Sequence, residues 1–220
     1  MPSDLIIFDC DGVLVDSEPI VNHVFVDMLA EVGFELDYEK TLREFSGGSM
    51  TTRLETTQSR LSWSVPPDFV TNFDRRLMEA MRRELRPVPG VFEALAELGS
   101  LWCVASNGSH EDMRTRLGLA GLLPRFTPRL FSALEVGRSK PYPDVFLHAA
   151  RCMGVEPCRC AVIEDSVTGV QAGIRAGMVV YGYTRLTPSA ALRGAGARVF
   201  ANMNELPSLL VEEGWNVPRV

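Results

Sequence analysis

At 220 residues, the chain is long enough to bury one sizeable hydrophobic core and to carry a small second domain. Its formal net charge of −6, with arginines scattered rather than clustered, provides no basic surface, so we expect no nucleic-acid partner. No apolar run approaches the length that spans a bilayer, and a strand begins directly after Met1-Pro2-Ser3 without room for a signal peptide, so we expect a cytoplasmic protein with no membrane partner.

The first predicted element is a buried strand that ends in two acidic residues. Leu5-Ile6-Ile7-Phe8 is a continuous apolar run, typical of a strand in a parallel sheet that is covered on both faces. Asp9 and Asp11 follow it, and ligands of open α/β sheets bind outside the carboxyl ends of the strands. Two neighbouring carboxylates repel each other unless a cation or a proton compensates them, so this oxygen-rich end suits Mg²⁺. One acid could be a nucleophile and the other an acid/base; alternatively, Asp9 caps a turn and Asp11 stabilises a loop.

The segment that follows, to about Leu85, carries a helical pattern without a strand signal. Apolar residues recur at helical spacing in several runs, which are bounded by prolines, glycines or polar breaks. They predict helices from Pro19 to about Val32, from Tyr38 to Phe45, from Met50 to about Leu61 and from Asp68 to Leu85. We therefore expect a helical cap domain at residues 17–85, inserted into a core domain formed by residues 1–16 and 86–220.

From Val91 onward, short apolar runs alternate with helical patterns, which is typical of a parallel, doubly wound sheet. The further predicted strands are Leu101–Ala105, Leu130–Phe131, Cys160–Ile163, Met178–Tyr181 and Arg198–Phe200. The predicted helices are Val91–Leu98, His110–Leu117, Val145–Met153, Val167–Ala176 and Glu205–Glu212. The sequence thus predicts an α/β fold: a Rossmann-like doubly wound parallel sheet with an inserted helical cap domain.

Three more polar groups stand at, or close to, the carboxyl ends of predicted strands. Ser106 offers a hydroxyl to a phosphoryl oxygen, and the backbone amides of Asn107 and Gly108 offer N–H groups to an anion. The alternative is a helix-capping turn. Because carboxyl ends of parallel strands meet at one edge of a sheet, we expect these groups to converge on the two N-terminal aspartates.

The other two groups are a lysine and a pair of acids. Lys140, stiffened by two nearby prolines, could neutralise a phosphoryl group and a nucleophilic carboxylate, or be a solvated loop lysine. Glu164 and Asp165 follow an apolar strand, where acids are costly unless they are paired or bound to metal. We expect Asp165 to be a metal ligand and Glu164 to be an indirect or water-mediated ligand. Asp165 or Ser166 could also cap the next helix.

Together these stretches reproduce, in order, four motifs of one enzyme superfamily. They are Phe-Asp-Cys-Asp-Gly-Val-Leu-Val-Asp-Ser-Glu from Phe8, Val-Ala-Ser-Asn-Gly from Val104, Lys-Pro-Tyr-Pro-Asp from Lys140, and Ile-Glu-Asp-Ser-Val-Thr-Gly from Ile163. With its helical insert after the first motif, the chain resembles the haloacid dehalogenase superfamily over nearly its whole length. It looks like the sugar-phosphatase and β-phosphoglucomutase branch, and within it is similar to bacterial 6-phosphogluconate phosphatases.

This resemblance implies a Mg²⁺-dependent phosphatase that acts on a small phosphorylated sugar or sugar acid. Asp9 would attack phosphorus to form an aspartyl-phosphate, and Asp11 would protonate the leaving oxygen and then activate water. Mg²⁺ would be held by Asp9, the Asp11 backbone carbonyl and Asp165, with Glu164 as an indirect or water-mediated ligand, while Lys140 and Ser106 neutralise the phosphoryl group.

The cap is expected to close over the site and to read the organic part of the substrate. Gly47, Gly48 and Arg53 are our candidates for that role, although Arg53 could equally be a surface arginine. The five cysteines are expected to be free thiols. The only expected partner is a small phosphorylated molecule, and the chain is expected to be a monomer or a small homo-oligomer.

Two alternatives remain open. A hexose phosphomutase of the β-phosphoglucomutase type carries a histidine where this chain has Val21, and basic residues where it has Ser46 and Met50, although His23 is near. A non-catalytic phosphosugar-binding protein would need neither a nucleophile nor a neighbouring acid.

Overall fold

The computed structural model describes residues 4–45, 50–61, 64–99 and 101–216. Within them, six parallel strands form one sheet in the order β3-β2-β1-β4-β5-β6. The strands are β1 (Leu5–Phe8), β2 (Trp102–Ser106), β3 (Leu130–Ser132), β4 (Cys160–Glu164), β5 (Val179–Tyr183) and β6 (Arg198–Phe200). The apolar runs seen in the sequence therefore form the sheet, and the predicted doubly wound α/β fold is confirmed. β1 is central, with Phe8 opposite Val104 of β2 and Ile163 of β4.

Within the described residues, four helices follow β1 in the segment that the sequence predicted to be a cap. They are α1 (Glu18–Glu31), α2 (Tyr38–Phe45), α3 (Met50–Leu61) and α4 (Phe69–Glu84), each within a residue or two of its predicted bounds. Phe25 of α1 packs edge-on against the rings of Phe45, Phe69 and Phe73, with centroids 6.1–6.4 Å apart. The helical nature of this segment is confirmed, while its treatment as a separate domain with the stated limits remains a prediction.

The remaining helices cover the sheet. They are α5 (Val91–Glu97), α6 (His110–Leu119), α7 (Leu123–Phe126), α8 (Ala133–Val136), α9 (Asp144–Met153), α10 (Val167–Arg175), α11 (Ser189–Gly194) and α12 (Leu206–Glu212). The sequence pattern missed α7, α8 and α11, because helices of 4–6 residues are too short to display a helical period. Alternate side chains of β1 face opposite layers: Ile6 and Phe8 pack in one apolar cluster, Leu5 and Ile7 in the other.

None of the helices in the described ranges is both long and apolar enough to cross a bilayer. The predicted free thiols are confirmed, since none of the five cysteines forms a disulfide.

Candidate active site

The carboxyl ends of β1, β2 and β4 and the loop before α9 meet in one cleft of about 380 Å³. Its lining includes all the polar residues that the sequence assigned to this edge of the sheet: Asp9, Asp11, Ser106, Asn107, Gly108, Lys140, Glu164 and Asp165. The parallel strands bring most of these side chains together because the residues end, or directly follow, β1, β2 and β4 of the same sheet. Lys140 is the exception, since it lies in the loop before α9.

Lys140 lies at the centre of the cluster and is buried. Its Nζ donates hydrogen bonds to Asp9 Oδ1 at 2.5 Å, to Glu164 Oε1 at 2.7 Å and to the Ala105 carbonyl at 2.9 Å. Burial by itself would lower the pKa of this ammonium, but the carboxylates of Asp9 and Glu164 outweigh it and hold the pKa above its usual range. Lys140 is therefore a fixed positive charge, and its interpretation as a solvated loop lysine is wrong.

Three buried carboxylates surround this charge. Oxygen atoms of Asp9, Glu164 and Asp165 lie within 4.8 Å of one another. Burial raises the pKa of Asp9 to about 7, against the opposing field of Lys140, and also raises the pKa of Asp165 well above its usual value. One ammonium does not compensate three acids, so this site suits a small divalent cation with oxygen ligands, and the residues present fit Mg²⁺.

Glu164 is the most tightly held of the three acids. Its second oxygen, Oε2, accepts hydrogen bonds from the backbone N–H groups of Asp165 and Ser166 and from the Ser166 hydroxyl, at 2.9–3.1 Å. A Cβ at Gly169 would lie 1.9 Å from this carboxyl group, so the glycine in α10 makes room for it. Since Ser166 Oγ accepts the Gly169 N–H, Ser166 rather than Asp165 caps α10.

Asp11 lines the same cleft, outside the cluster of three carboxylates, and has its own partners. Its Oδ1 accepts the Ser17 hydroxyl at 2.6 Å, and its Oδ2 accepts Arg116 Nη1 at 2.5 Å. The backbone turns sharply at Gly12, where φ is +77° and a Cβ would lie 2.0 Å from Asp165 Oδ2. The glycine therefore lets the two acidic segments approach each other.

Sequence reasoning missed Arg116, which lies on α6. Its guanidinium is mostly buried, and the negative charge of Asp11 raises its pKa further. Nothing in the motif spacing points to this residue, because it is separated from Asp11 by 105 positions and meets it only through the packing of α6 on the sheet.

The turn that begins at Ser106 is stabilised by an internal hydrogen bond and also positions the backbone of Lys140. Ser106 Oγ accepts the Gly108 N–H at 3.1 Å, and the Asn107 side-chain oxygen accepts the Lys140 backbone N–H at 2.9 Å. The N-terminus of α6 is capped by Ser109, so the alternative role of Ser106 as a helix cap is wrong. The Gly108 amide that we expected to bind an anion is directed to the serine hydroxyl.

The opposite wall of the cleft comes from the helical segment. Arg53 of α3 lies in this wall with a relative exposure of 1%, so its interpretation as a surface arginine is wrong. Its Nη2 donates to Glu18 Oε2 at 2.9 Å, and its guanidinium carbon lies 5.6 Å from the centroid of the Phe45 ring. Gly47 and Gly48, the other candidates for substrate contact, lie outside the described residues.

Apolar side chains make up most of the rest of this wall: Val21, Met50, Phe73 and Leu77, with Asp74 as a further charged residue. His23 is exposed and pairs with Asp27 on the same helix, so it does not take the place of a cleft histidine at Val21. His110 and His148 lie near Glu135, away from the cleft lining.

Comparisons with protein families, with curated proteins and with solved structures all relate this chain to one family of hydrolases. The sequence profile of the family described as haloacid dehalogenase-like hydrolases matches residues 3–177. The chain is 30% identical to 6-phosphogluconate phosphatase of Escherichia coli over 97% of both chains, and 33% identical to hexitol phosphatase B of Escherichia coli over 78% of this chain and 79% of the relative. A haloacid dehalogenase family hydrolase from Deinococcus radiodurans, solved with bound phosphate and sodium, superimposes with a TM-score of 0.84 at 34% identity, covering 99% of each chain.

Proposed function

Because the chain belongs to the haloacid dehalogenase-like hydrolases and is a phosphatase of that family, we propose that it hydrolyses the phosphate monoester of a small sugar or sugar acid, such as 6-phosphogluconate. The observation that carries the proposal is the contrast between its two N-terminal aspartates. Asp9 is buried and bound to a fixed ammonium, whereas Asp11 lies beside it, turned toward a hydroxyl and a guanidinium. Such a pair can divide nucleophilic and acid/base roles between neighbouring carboxylates.

In the first step, Asp9 is the nucleophile. Lys140 holds Oδ1, while Oδ2 accepts no hydrogen bond from the described residues and can attack phosphorus. The new phosphorus–oxygen bond forms as the bond to the sugar oxygen breaks, which leaves an aspartyl-phosphate. Lys140 and the Ser106 hydroxyl stabilise the negative charge on the phosphoryl oxygens.

Asp11 moves the protons. In the first step it donates a proton to the departing sugar oxygen, and in the second it takes a proton from the water that attacks the aspartyl-phosphate. Ser17 and Arg116 each hold one oxygen of its carboxyl group, so the carboxyl plane has a fixed orientation toward the cleft.

Asp9, Asp165 and the Asp11 backbone carbonyl would hold Mg²⁺, with Glu164 supporting it, and the ion would neutralise charge on the transferred phosphoryl group. A cytoplasmic location and a monomeric or small homo-oligomeric state also belong to the proposal.

The experiment is a measurement of inorganic phosphate release with Mg²⁺ across phosphorylated sugars, sugar alcohols, sugar acids and para-nitrophenyl phosphate. We expect turnover that chelation of Mg²⁺ abolishes. Tight binding of phosphosugars without phosphate release would instead favour the non-catalytic binding protein.

The phosphomutase remains the second candidate, and the cleft does not favour it. Val21 and Met50, where that hypothesis needs a histidine and a basic residue, are apolar and line the cleft. Ser46, the remaining position of that comparison, lies outside the described residues. Interconversion of hexose phosphates in the same reactions would reverse the preference.

A further inference from the structure

The charges that line the cleft are unbalanced. Six of its residues are acids and three are bases: Asp9, Asp11, Glu18, Asp74, Glu164 and Asp165 against Arg53, Arg116 and Lys140. Each of the three bases already pairs with a carboxylate of the chain itself. Within the described part of the cleft, therefore, no cation is left without an internal counter-ion.

Lys140 and Arg116 lie at the phosphate end, where they contact Asp9 and Asp11. The helical wall, which faces the organic part of the substrate, has one base, Arg53, among the residues described there. Among the described residues, recognition of a second anionic group by this wall would thus depend on Arg53.

Arg53 is unsuited to that task because of Glu18. Both side chains are buried, with side-chain exposures of 1% and 11%, and their charges are 2.9 Å apart. A substrate carboxylate at Arg53 would have to share one guanidinium with the buried Glu18 carboxylate, or displace it into an apolar surrounding. In either arrangement two carboxylates share a single guanidinium in a largely buried site, and their mutual repulsion is costly there.

We infer that the cleft selects substrates whose organic part is uncharged, such as sugar alcohol or neutral sugar monophosphates, over sugar acid phosphates, and that the Glu18–Arg53 pair sets this preference. The inference rests on the proposed phosphatase function and narrows its substrate class.

A substrate hydroxyl group also suits a hydrogen-bond donor of Arg53 that the ion pair does not use. Nη1 of Arg53 is buried and has no hydrogen-bond partner within the described ranges. A substrate hydroxyl can accept from it without adding charge, once the end of the cleft adjusts to admit the ligand. A neutral ligand would thereby satisfy a donor that the folded chain leaves unpaired.

The test compares two open-chain substrates that differ only at C1, sorbitol 6-phosphate and 6-phosphogluconate. We expect kcat/KM for the alcohol to exceed that for the acid by about tenfold or more. Para-nitrophenyl phosphate serves as a reference, because it reports phosphatase activity without a sugar group.

The Glu18→Gln variant tests the assigned cause. It removes the negative charge that pairs with Arg53 and keeps the size and shape of the side chain, so the ratio of acid to alcohol kcat/KM should rise by about tenfold. Any effect of Glu18 on the nearby acids acts on both substrates and cancels in this ratio. Arg60→Met is the control. Arg60 lies on α3, as Arg53 does, and pairs with Glu44, but it does not line the cleft. The ratio of acid to alcohol kcat/KM in this variant should therefore equal that of the wild type.

The outcomes separate the two proposals. Turnover of the reference compound with equal or better turnover of the sugar acid overturns the inference and leaves the phosphatase intact. An unchanged ratio in a folded Glu18→Gln variant overturns the role of the pair. If that variant does not fold, Arg53→Lys takes its place and should retain the alcohol preference, because the charge pair is preserved. No phosphate release from any compound overturns both proposals.

Discussion

The two walls of the cleft hold their polar groups in different ways. On the sheet wall, Lys140 and Glu164 each make several short hydrogen bonds. Glu164 ends β4, and Lys140 reaches the end of β2 from the loop before α9. On the helical wall, one buried ion pair is surrounded by apolar side chains that belong to α1, α3 and α4. The groups proposed for phosphoryl transfer are thus held mainly by the backbone of the sheet. The helical wall, proposed to contact the organic part of the substrate, depends on how the helices pack.

The largest expected effect falls on the sheet wall. Asp9→Asn removes the nucleophile with almost no change of shape, so phosphate release should fall by about 10⁴-fold or more. Stability should not fall, because the substitution removes one of several crowded carboxylates. Phosphate assays and thermal unfolding of the same preparation measure both quantities. Wild-type turnover in this variant would contradict the assignment of Asp9.

This wall is also the part that could be predicted from the sequence. The sequence shows buried apolar strands that end in, or are followed by, acids or a serine. This pattern suffices to bring Asp9, Ser106 and Glu164 together, because the carboxyl ends of parallel strands share one ligand-binding edge. The partners of Asp11 could not be found in this way. Arg116 reaches it from a helix face, and neither helical period nor motif spacing fixes the rotation of a helix about its axis.

The helical wall shows the same limit. The sequence pattern located α1 and α3 within a residue or two, yet left Arg53 open between a surface and a binding role. Its burial follows from the docking of two helices that bring Glu18 and Arg53 together across 35 positions. Apolar periodicity identifies the face of a helix that is buried but does not identify its charged partner.

The second prediction concerns the loss of the Lys140 ammonium group from the sheet wall. Lys140→Met leaves Asp9 and Glu164 buried without a counter-ion, and the free energy of unfolding should fall by about 3 kcal/mol in the presence of a chelator. Mg²⁺ should restore part of this loss, because it binds the folded carboxylate cluster. Urea unfolding with and without Mg²⁺ measures both effects. Lys40→Met, at an exposed lysine of α2, is the control and should change neither value.

The third prediction concerns the junction between the walls. Arg116→Met releases one oxygen of Asp11, so the carboxyl group loses its fixed orientation and kcat should fall by about tenfold. KM should change much less, because Arg116 acts here through Asp11. Arg116→Lys should recover part of the rate, and Arg114→Met, at an exposed neighbour on α6, should match the wild type. A rise in KM at constant kcat would mean instead that Arg116 binds substrate directly.

The smallest expected effect lies at the solvent edge of the helical wall. Asp74 of α4 lines the cleft and is exposed, so its charge acts on a ligand through water. Asp74→Asn should raise the ratio of sugar acid to sugar alcohol kcat/KM by about twofold to threefold, in the same direction as Glu18→Gln but less. Increasing ionic strength should remove this change, because salt screens an exposed charge, and should leave most of the Glu18 effect, because that charge is buried. Glu84→Gln carries the same charge change on the same helix away from the cleft and should leave the ratio unaltered. If Asp74→Asn and Glu84→Gln shift the ratio equally, the selection against sugar acids comes from the overall negative charge of the protein, and the cleft wall has no specific part in it.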